Sequence, residues 1–96
     1  MNYVQVIGRY KTAPFILKGA PSNASSYIQL NVKSNFREAT GEYRYDVFDV
    51  YLWKGLQKDL GEHIQLNTLI AVKGRLELRN DHPIIIAEQV EFLERY

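Results

Sequence analysis

Cysteine is absent from these 96 residues, so neither a disulfide framework nor a thiolate zinc site is open to the chain. Histidine is almost as scarce. His63 and His82 stand far apart, with no Cys or Glu at ligand spacing. Asp46 and Asp49 fall on opposite faces of their strand by parity and do not form a carboxylate pair there. No glycine-rich phosphate loop or nucleophile elbow occurs. These gaps argue against an enzyme, a resident metal or any other cofactor. No apolar run approaches the roughly 20 residues of a membrane span. The opening Met1-Asn2-Tyr3-Val4 lacks the basic-then-apolar pattern of a signal peptide. The expectation is a cytoplasmic protein whose partner is neither a membrane nor a small-molecule substrate.

Acidic residues are missing from the first third. Residues 1 to 37 hold Arg9, Lys11, Lys18, Lys33 and Arg37 and no acid, whereas residues 38 to 96 hold seven bases against eleven acids. The net charge of +1 hides this asymmetry. A region of one sign creates a local positive field unless the C-terminal acids interleave with it in space. Length sets a further bound: a chain this short is one domain and buries only roughly 60 to 65% of its unfolded surface. Its core is therefore compact or completed by a second copy.

What is present is alternation, strongest in residues 26 to 53. In Ser26 to Ser34, Ile28, Leu30 and Val32 point one way and Tyr27, Gln29, Asn31 and Lys33 the other. In Tyr45 to Trp53, Phe48, Val50 and Leu52 oppose Val47, Asp49, Tyr51 and Trp53. The connector turns near Thr40-Gly41, where glycine accepts a positive φ. With the aliphatic faces inside, the outer face offers Tyr27, Asn31, Lys33, Tyr51 and Trp53, with Phe36 and Arg37 at the rim. Aromatics beside cations make a platform for stacking bases; outward aromatics equally serve a subunit contact.

The rest completes a barrel. Asn2 to Tyr10 is a first strand, bent at Gly8, with Val4 and Val6 opposite Tyr3, Gln5 and Ile7. A long loop follows from Lys11 to Ser25, of a length that favours a functional role. Leu56, Leu60 and Ile64 recur at helical spacing and predict a short helix across one end of the barrel. Thr68 to Arg79 is a fourth strand kinked at Gly74, with Ile70, Val72, Leu76 and Leu78 on one side and Lys73, Arg75 and Arg79 on the other. A tight turn at Asn80 to Pro83 leads into the last strand, Ile84 to Leu93. This order predicts an all-β fold: a five-stranded OB-fold Greek-key barrel with a short helix between strands 3 and 4. In that fold the second and third strands and the adjoining loops bind oligonucleotides or oligosaccharides.

The chain resembles the bacterial single-stranded DNA-binding proteins. The resemblance runs through Met1-Asn2-Tyr3-Val4-Gln5-Val6-Ile7-Gly8-Arg9, Ala39-Thr40-Gly41-Glu42, Leu52-Trp53, Thr68-Leu69-Ile70-Ala71-Val72-Lys73-Gly74-Arg75-Leu76 and Ala87-Glu88-Gln89-Val90-Glu91-Phe92-Leu93-Glu94. It implies base-stacking roles for Phe36 and Trp53, with Lys33, Arg37 and Lys54 near phosphates. Tyr27, Asn31, Tyr51, Lys73 and Arg79 complete the expected nucleic-acid surface, and Tyr3, Gln5 and Ile7 an oligomer interface. The implied partner is single-stranded DNA, held by a homo-oligomer, dimer or tetramer, in replication, recombination or repair. Val47 stands where the family often has an aromatic, the Asn80 to Pro83 connection is short, and the family's acidic-tipped polar tail is not seen. The primosomal replication protein B group, small dimeric OB-folds without that tail, is an alternative resemblance of the same compactness; a protein-interaction module on the same barrel is another alternative. If Trp53 stacks bases, Trp53→Ala should weaken binding to a thymidine oligomer and remove most of the fluorescence quenching that binding causes. Unchanged affinity would take Trp53 out of the site.

Overall fold

Period-two alternation builds five strands in the computed structural model, which describes residues 1–11, 24–53 and 65–94, without the side chains of 24–26 and 53. They are β1 (Val4–Tyr10), β2 (Ala24–Arg37), β3 (Tyr43–Trp53), β4 (Leu69–Arg79) and β5 (His82–Phe92). The helix expected within residues 54–64 lies outside the described residues, as does most of the first loop. The strands close into a barrel in the order β1-β2-β3-β5-β4. Neighbours are antiparallel except β3 and β5, which run parallel through Val50↔Ile85 and Tyr51↔Ile86. This is the expected OB connectivity.

Closure depends on β1 serving two neighbours. Its residues Val4 to Arg9 pair with β4, while Arg9 and Tyr10 pair with Asn31 and Leu30 of β2. Gly8 sits at the changeover, where an added Cβ would lie 2.7 Å from the Asn31 carbonyl oxygen and 2.9 Å from Leu30 and Val32 side-chain carbons. The predicted bend is thus a close approach of two backbones. The inward positions make the core: Ile28 and Leu30 of β2, Val50 and Leu52 of β3, Ile70 and Val72 of β4, Ile85 and Ala87 of β5, with Tyr10. Each fully buried aliphatic side chain stabilises by about 1.5–3 kcal/mol, so this interior is the main source of stability.

Both hairpins turn where expected. The β2–β3 connection closes with the Gly41 N–H donating to the Glu38 carbonyl at 2.8 Å, Gly41 having φ 87°. The β4–β5 turn is tighter than the sequence suggested. Only Asn80 (φ 51°) and Asp81 (φ 62°) separate the strands, a two-residue turn whose positive φ values match the strand twist. Pro83 therefore lies within β5, opposite Leu78, rather than in the turn.

One expectation about the core fails. Leu76 and Leu78 have inward parity with Ile70 and Val72, yet they are 45% and 69% exposed. The pairing of β1 with β4 ends at Val4↔Gly74, so past Gly74 the hairpin leaves the barrel and no described strand covers that face. Only Asn2 follows it, its amide accepting from the Leu76 N–H and donating to the Leu76 carbonyl.

Gly74 marks the departure with a register shift against β5. A Cβ there would fall 1.9 Å from the Ile86 carbonyl oxygen, a backbone atom with little freedom to retreat. Gly74→Ala should therefore cost about 3 kcal/mol, the upper range for overpacking, measured as a lowered urea midpoint. An unchanged midpoint would mean that the strands part there at little expense.

Candidate nucleic-acid interface

The outer face of the β2–β3 ladder is a series of cross-strand rows: Tyr27↔Tyr51, Gln29↔Asp49, Asn31↔Val47 and Lys33↔Tyr45, then, past an irregularity, Arg37↔Tyr43. The rows divide it into a sealed half and an open half.

Tyr27 and Tyr51, expected as stacking surfaces, are in the sealed half and only 4% and 2% exposed. Their rings meet edge to face, with planes 80° apart, in a cluster with Ile84 and Ile86. Parity does put them outside the barrel. However, β5 joins β3 beside Tyr51 and brings Ile84 and Ile86 onto the same outer surface, so the rings become a second small core. Arg79, expected along a phosphate path, instead lies 4.7 Å from the Tyr51 ring centre and donates to Glu77 at 2.8 Å and 3.0 Å. Next along, the Asp49 carboxylate accepts from Gln29 at 3.5 Å and lies 4.0 Å from His82 Nε2, so the boundary between the halves is acidic.

The open half is aromatic and cationic. Lys33 Nζ sits 3.8 Å from the Tyr43 ring centre and the Arg37 guanidinium 5.3 Å from it, cation–π contacts worth about 0.5–1 kcal/mol each at exposed positions. Tyr45, opposite Lys33, is 58% exposed and Phe36 is 82% exposed. The Ser34 hydroxyl donates to the Phe36 carbonyl at 2.7 Å and accepts from the Arg44 N–H at 3.1 Å, which pins the irregular stretch that projects Phe36. Tyr43 and Tyr45 were missed from the sequence, although they share the parity of Tyr51 and Trp53 and needed only the register with Lys33. Trp53 continues β3 opposite Ala24, but its side chain, like Lys54, lies outside the described residues.

Asn31 lines a cleft of about 430 Å³ on the β1 side, together with Arg9, Lys33, Asn35 and Tyr45. Arg9 is engaged there: its guanidinium donates to Glu94 and to the Asn67 carbonyl, each at 3.0 Å. Tyr3, Gln5 and Ile7 are exposed along β1, and the half-buried Lys73 lies beside Gln5 on the β4 side. Lys73 thus belongs with that expected subunit surface rather than with Lys33. Among the described residues no cluster of His, Cys, Asp or Glu could hold a metal ion, and no helix is long and apolar enough to cross a membrane.

Burial pushes the Tyr51 phenol above its ordinary value, with Arg79 pulling it back and Glu77 adding to the rise; burial raises Tyr10 as well. In the unfolded chain tyrosine ionises near pH 10. The stability held by the neutral phenols is therefore complete below about pH 10 and lost as pH rises through the higher folded values. Urea melts from pH 8 to 11 should show a falling midpoint above pH 10, with a shallower fall in Tyr51→Phe. Parallel curves for the two proteins would remove Tyr51 as a contributor.

No family model matches the chain. Among curated proteins it is 24% identical to single-stranded DNA-binding protein B of Bacillus subtilis, over 97% of this chain and 90% of that protein. It is 31% identical to the single-stranded DNA-binding protein of Streptococcus mutans over 83% of its own length, and it spans about half (49%) of that relative. In three dimensions it superimposes on the Plasmodium falciparum SSB in its complex with ssDNA with a TM-score of 0.71 at 21% identity, covering 98% of this chain and 96% of that one. At that identity the likeness speaks for the barrel alone. Sequence similarity along most of its length and the shared five-stranded barrel together make this chain a relative of the bacterial single-stranded DNA-binding proteins.

Proposed function

We propose that the chain binds single-stranded DNA without catalysis, across the open half of the β2–β3 face. The observation that carries this is the grouping of the exposed Phe36 and Tyr45 with Lys33 and Arg37, which rest on the half-buried Tyr43. Aromatic faces stack any base, each stack contributing about 1–3 kcal/mol without reading sequence, while cations follow the backbone. Lys33 and Arg37 rest on the Tyr43 ring, so their charges are held at the surface before a strand arrives. The names of the Bacillus and Streptococcus relatives support this reading.

The working unit is a homo-oligomer in the cytoplasm, joined through Tyr3, Gln5 and Ile7 with Lys73 alongside, and it serves replication, recombination or repair. Exposure supports the contact: Tyr3 is 63% and Ile7 50% exposed, a large apolar area for one strand of a small barrel. Light scattering gives the subunit count directly.

Titration with a thymidine oligomer tests the site. Tyr45→Ala and Phe36→Ala should each weaken binding about 5- to 100-fold, the span of one lost stack. Lys33→Ala should reduce the dependence of log affinity on log salt by about 0.7, the value for one phosphate contact on a single strand. Failure of the wild-type protein to bind the oligomer at both low and moderate salt would overturn the function.

A further inference from the structure

We propose that the cleft between β1 and β2 is a nucleotide subsite, in which the amides of Asn31 and Asn35 read the edge of one base while Lys33 holds its phosphate. This rests on the strand-binding reading above and goes further, because it makes one position along the strand selective.

The cleft arises from the way the barrel closes. Among the described residues β1 and β2 pair only at Arg9↔Asn31 and Tyr10↔Leu30; before Arg9 the first strand turns to β4, and beyond Asn31 the second continues beside β3. The diverging strands leave a hollow of about 430 Å³, adjoined by another of about 360 Å³ that shares Ile7, Lys33 and Asn35. That size lies within the range of roughly 300–1,000 Å³ for small-molecule sites.

Its chemistry is specific. Among the described residues no carboxylate lines either hollow. Of the two cations, Arg9 is already committed to Glu94 and the Asn67 carbonyl, so Lys33 is the one left to meet a phosphate. The Ser34 hydroxyl is spent within the β2–β3 connection. Asn31, Asn35 and the Tyr45 hydroxyl have no hydrogen-bond partner among the described residues, although all three line the cleft. A primary amide offers a donor and an acceptor side by side, the pattern that pairs with the polar edge of a nucleobase. Ile7 borders the hollow on the side of the proposed subunit contact, so recognition of the base is assigned to Asn31, Asn35 and Tyr45 alone. Lys33 and Tyr45 belong both to the cleft and to the stacking face, so a strand crossing Tyr45 passes the mouth. Stacking tolerates every base; hydrogen bonds from two amides do not.

Two measurements test this. First, affinities for oligo-dT, oligo-dC and oligo-dA are compared in the wild type, in Asn31→Ala/Asn35→Ala and, should the double variant fold poorly, in Asn35→Ala, whose side chain is exposed. The wild type should separate its best and worst oligomer by about three- to tenfold more than the variant does, the worth of one or two hydrogen bonds, with an unchanged salt slope. Second, dTMP, dCMP, dAMP and 2-deoxyribose 5-phosphate are titrated while the side-chain amide resonances of Asn31 and Asn35 are followed by NMR. The nucleotides should move them to an extent that depends on the base, and the base-free sugar phosphate should not. Equal shifts with the sugar phosphate would mean that only phosphate binds there and would overturn the subsite. So would identical base preferences in wild type and variant, or a change in subunit count in the variant, which would mark the cleft as a contact between copies. In each of these cases oligo-dT binding stands; loss of oligo-dT binding by the wild type overturns the function itself.

Discussion

The close approach of β1 to β2 at Gly8 is the constraint on which the architecture depends. A strand that lies tightly on one neighbour at its end and on another along its length must bend, and the bend closes five strands into a barrel. Gly8 has no Cβ to collide with the Asn31 carbonyl 2.7 Å from where one would stand. Gly74 makes the corresponding contact between β4 and β5, where an added carbon would meet the Ile86 carbonyl oxygen at 1.9 Å. Between these two backbone contacts the aliphatic faces of all five strands meet in one interior. Outside them the strands splay, and each place where they do so becomes surface with its own chemistry.

Two such places matter for function. At one end the parallel meeting of β3 and β5 brings Ile84 and Ile86 beside Tyr27 and Tyr51, and those rings become packing. At the other end no described strand joins β3 in this way, and Tyr45 stays exposed with Tyr43 half-buried beside Lys33 and Arg37. The same pattern of outward aromatics thus has opposite fates along one ladder. What decides between them is the presence of a third strand.

The cations divide in a similar way. Arg9 is paired with Glu94, Arg44 with Asp46, and Arg75 and Arg79 with Glu77. Exposed pairs of this kind add little stability, about 0–1 kcal/mol, but they commit the charges involved. Lys33 and Arg37 rest on an aromatic ring instead of a carboxylate, which leaves their charge unneutralised. The acid-free first third of the sequence is therefore partly answered in space, by Glu94 at Arg9, while among the described residues Lys33 and Arg37 on β2 face an aromatic ring and no carboxylate.

Much of the fold was legible in the sequence because strand alternation is local: Ile28, Leu30, Val50 and Leu52 declare an inward face within a few residues of themselves, and Gly41 and Asn80-Asp81 declare the turns through their own backbone preferences. The chain order of strands then left the OB barrel as the natural closure, and Phe36, Lys33 and Arg37 were visible as outward residues of β2. Whether an outward residue is also an open one depends on strands distant in sequence. Tyr27, Tyr51 and Arg79 were read as surface and proved to be covered or committed; Tyr43 and Tyr45 were passed over and proved to be half-buried and exposed; Leu76 and Leu78 share a side with Ile70 and Val72 and project beyond the core. For the tyrosines and leucines the deciding contact comes from a segment some 20 or more residues away, or from where such a contact ends; Arg79 is held by Glu77 two residues back as well as by the Tyr51 ring. Parity is a property of one strand, so the sequence determined direction, while exposure, the pairing of Arg9 with Glu94 and the β1–β2 cleft belong to neighbours that only the tertiary structure brings together.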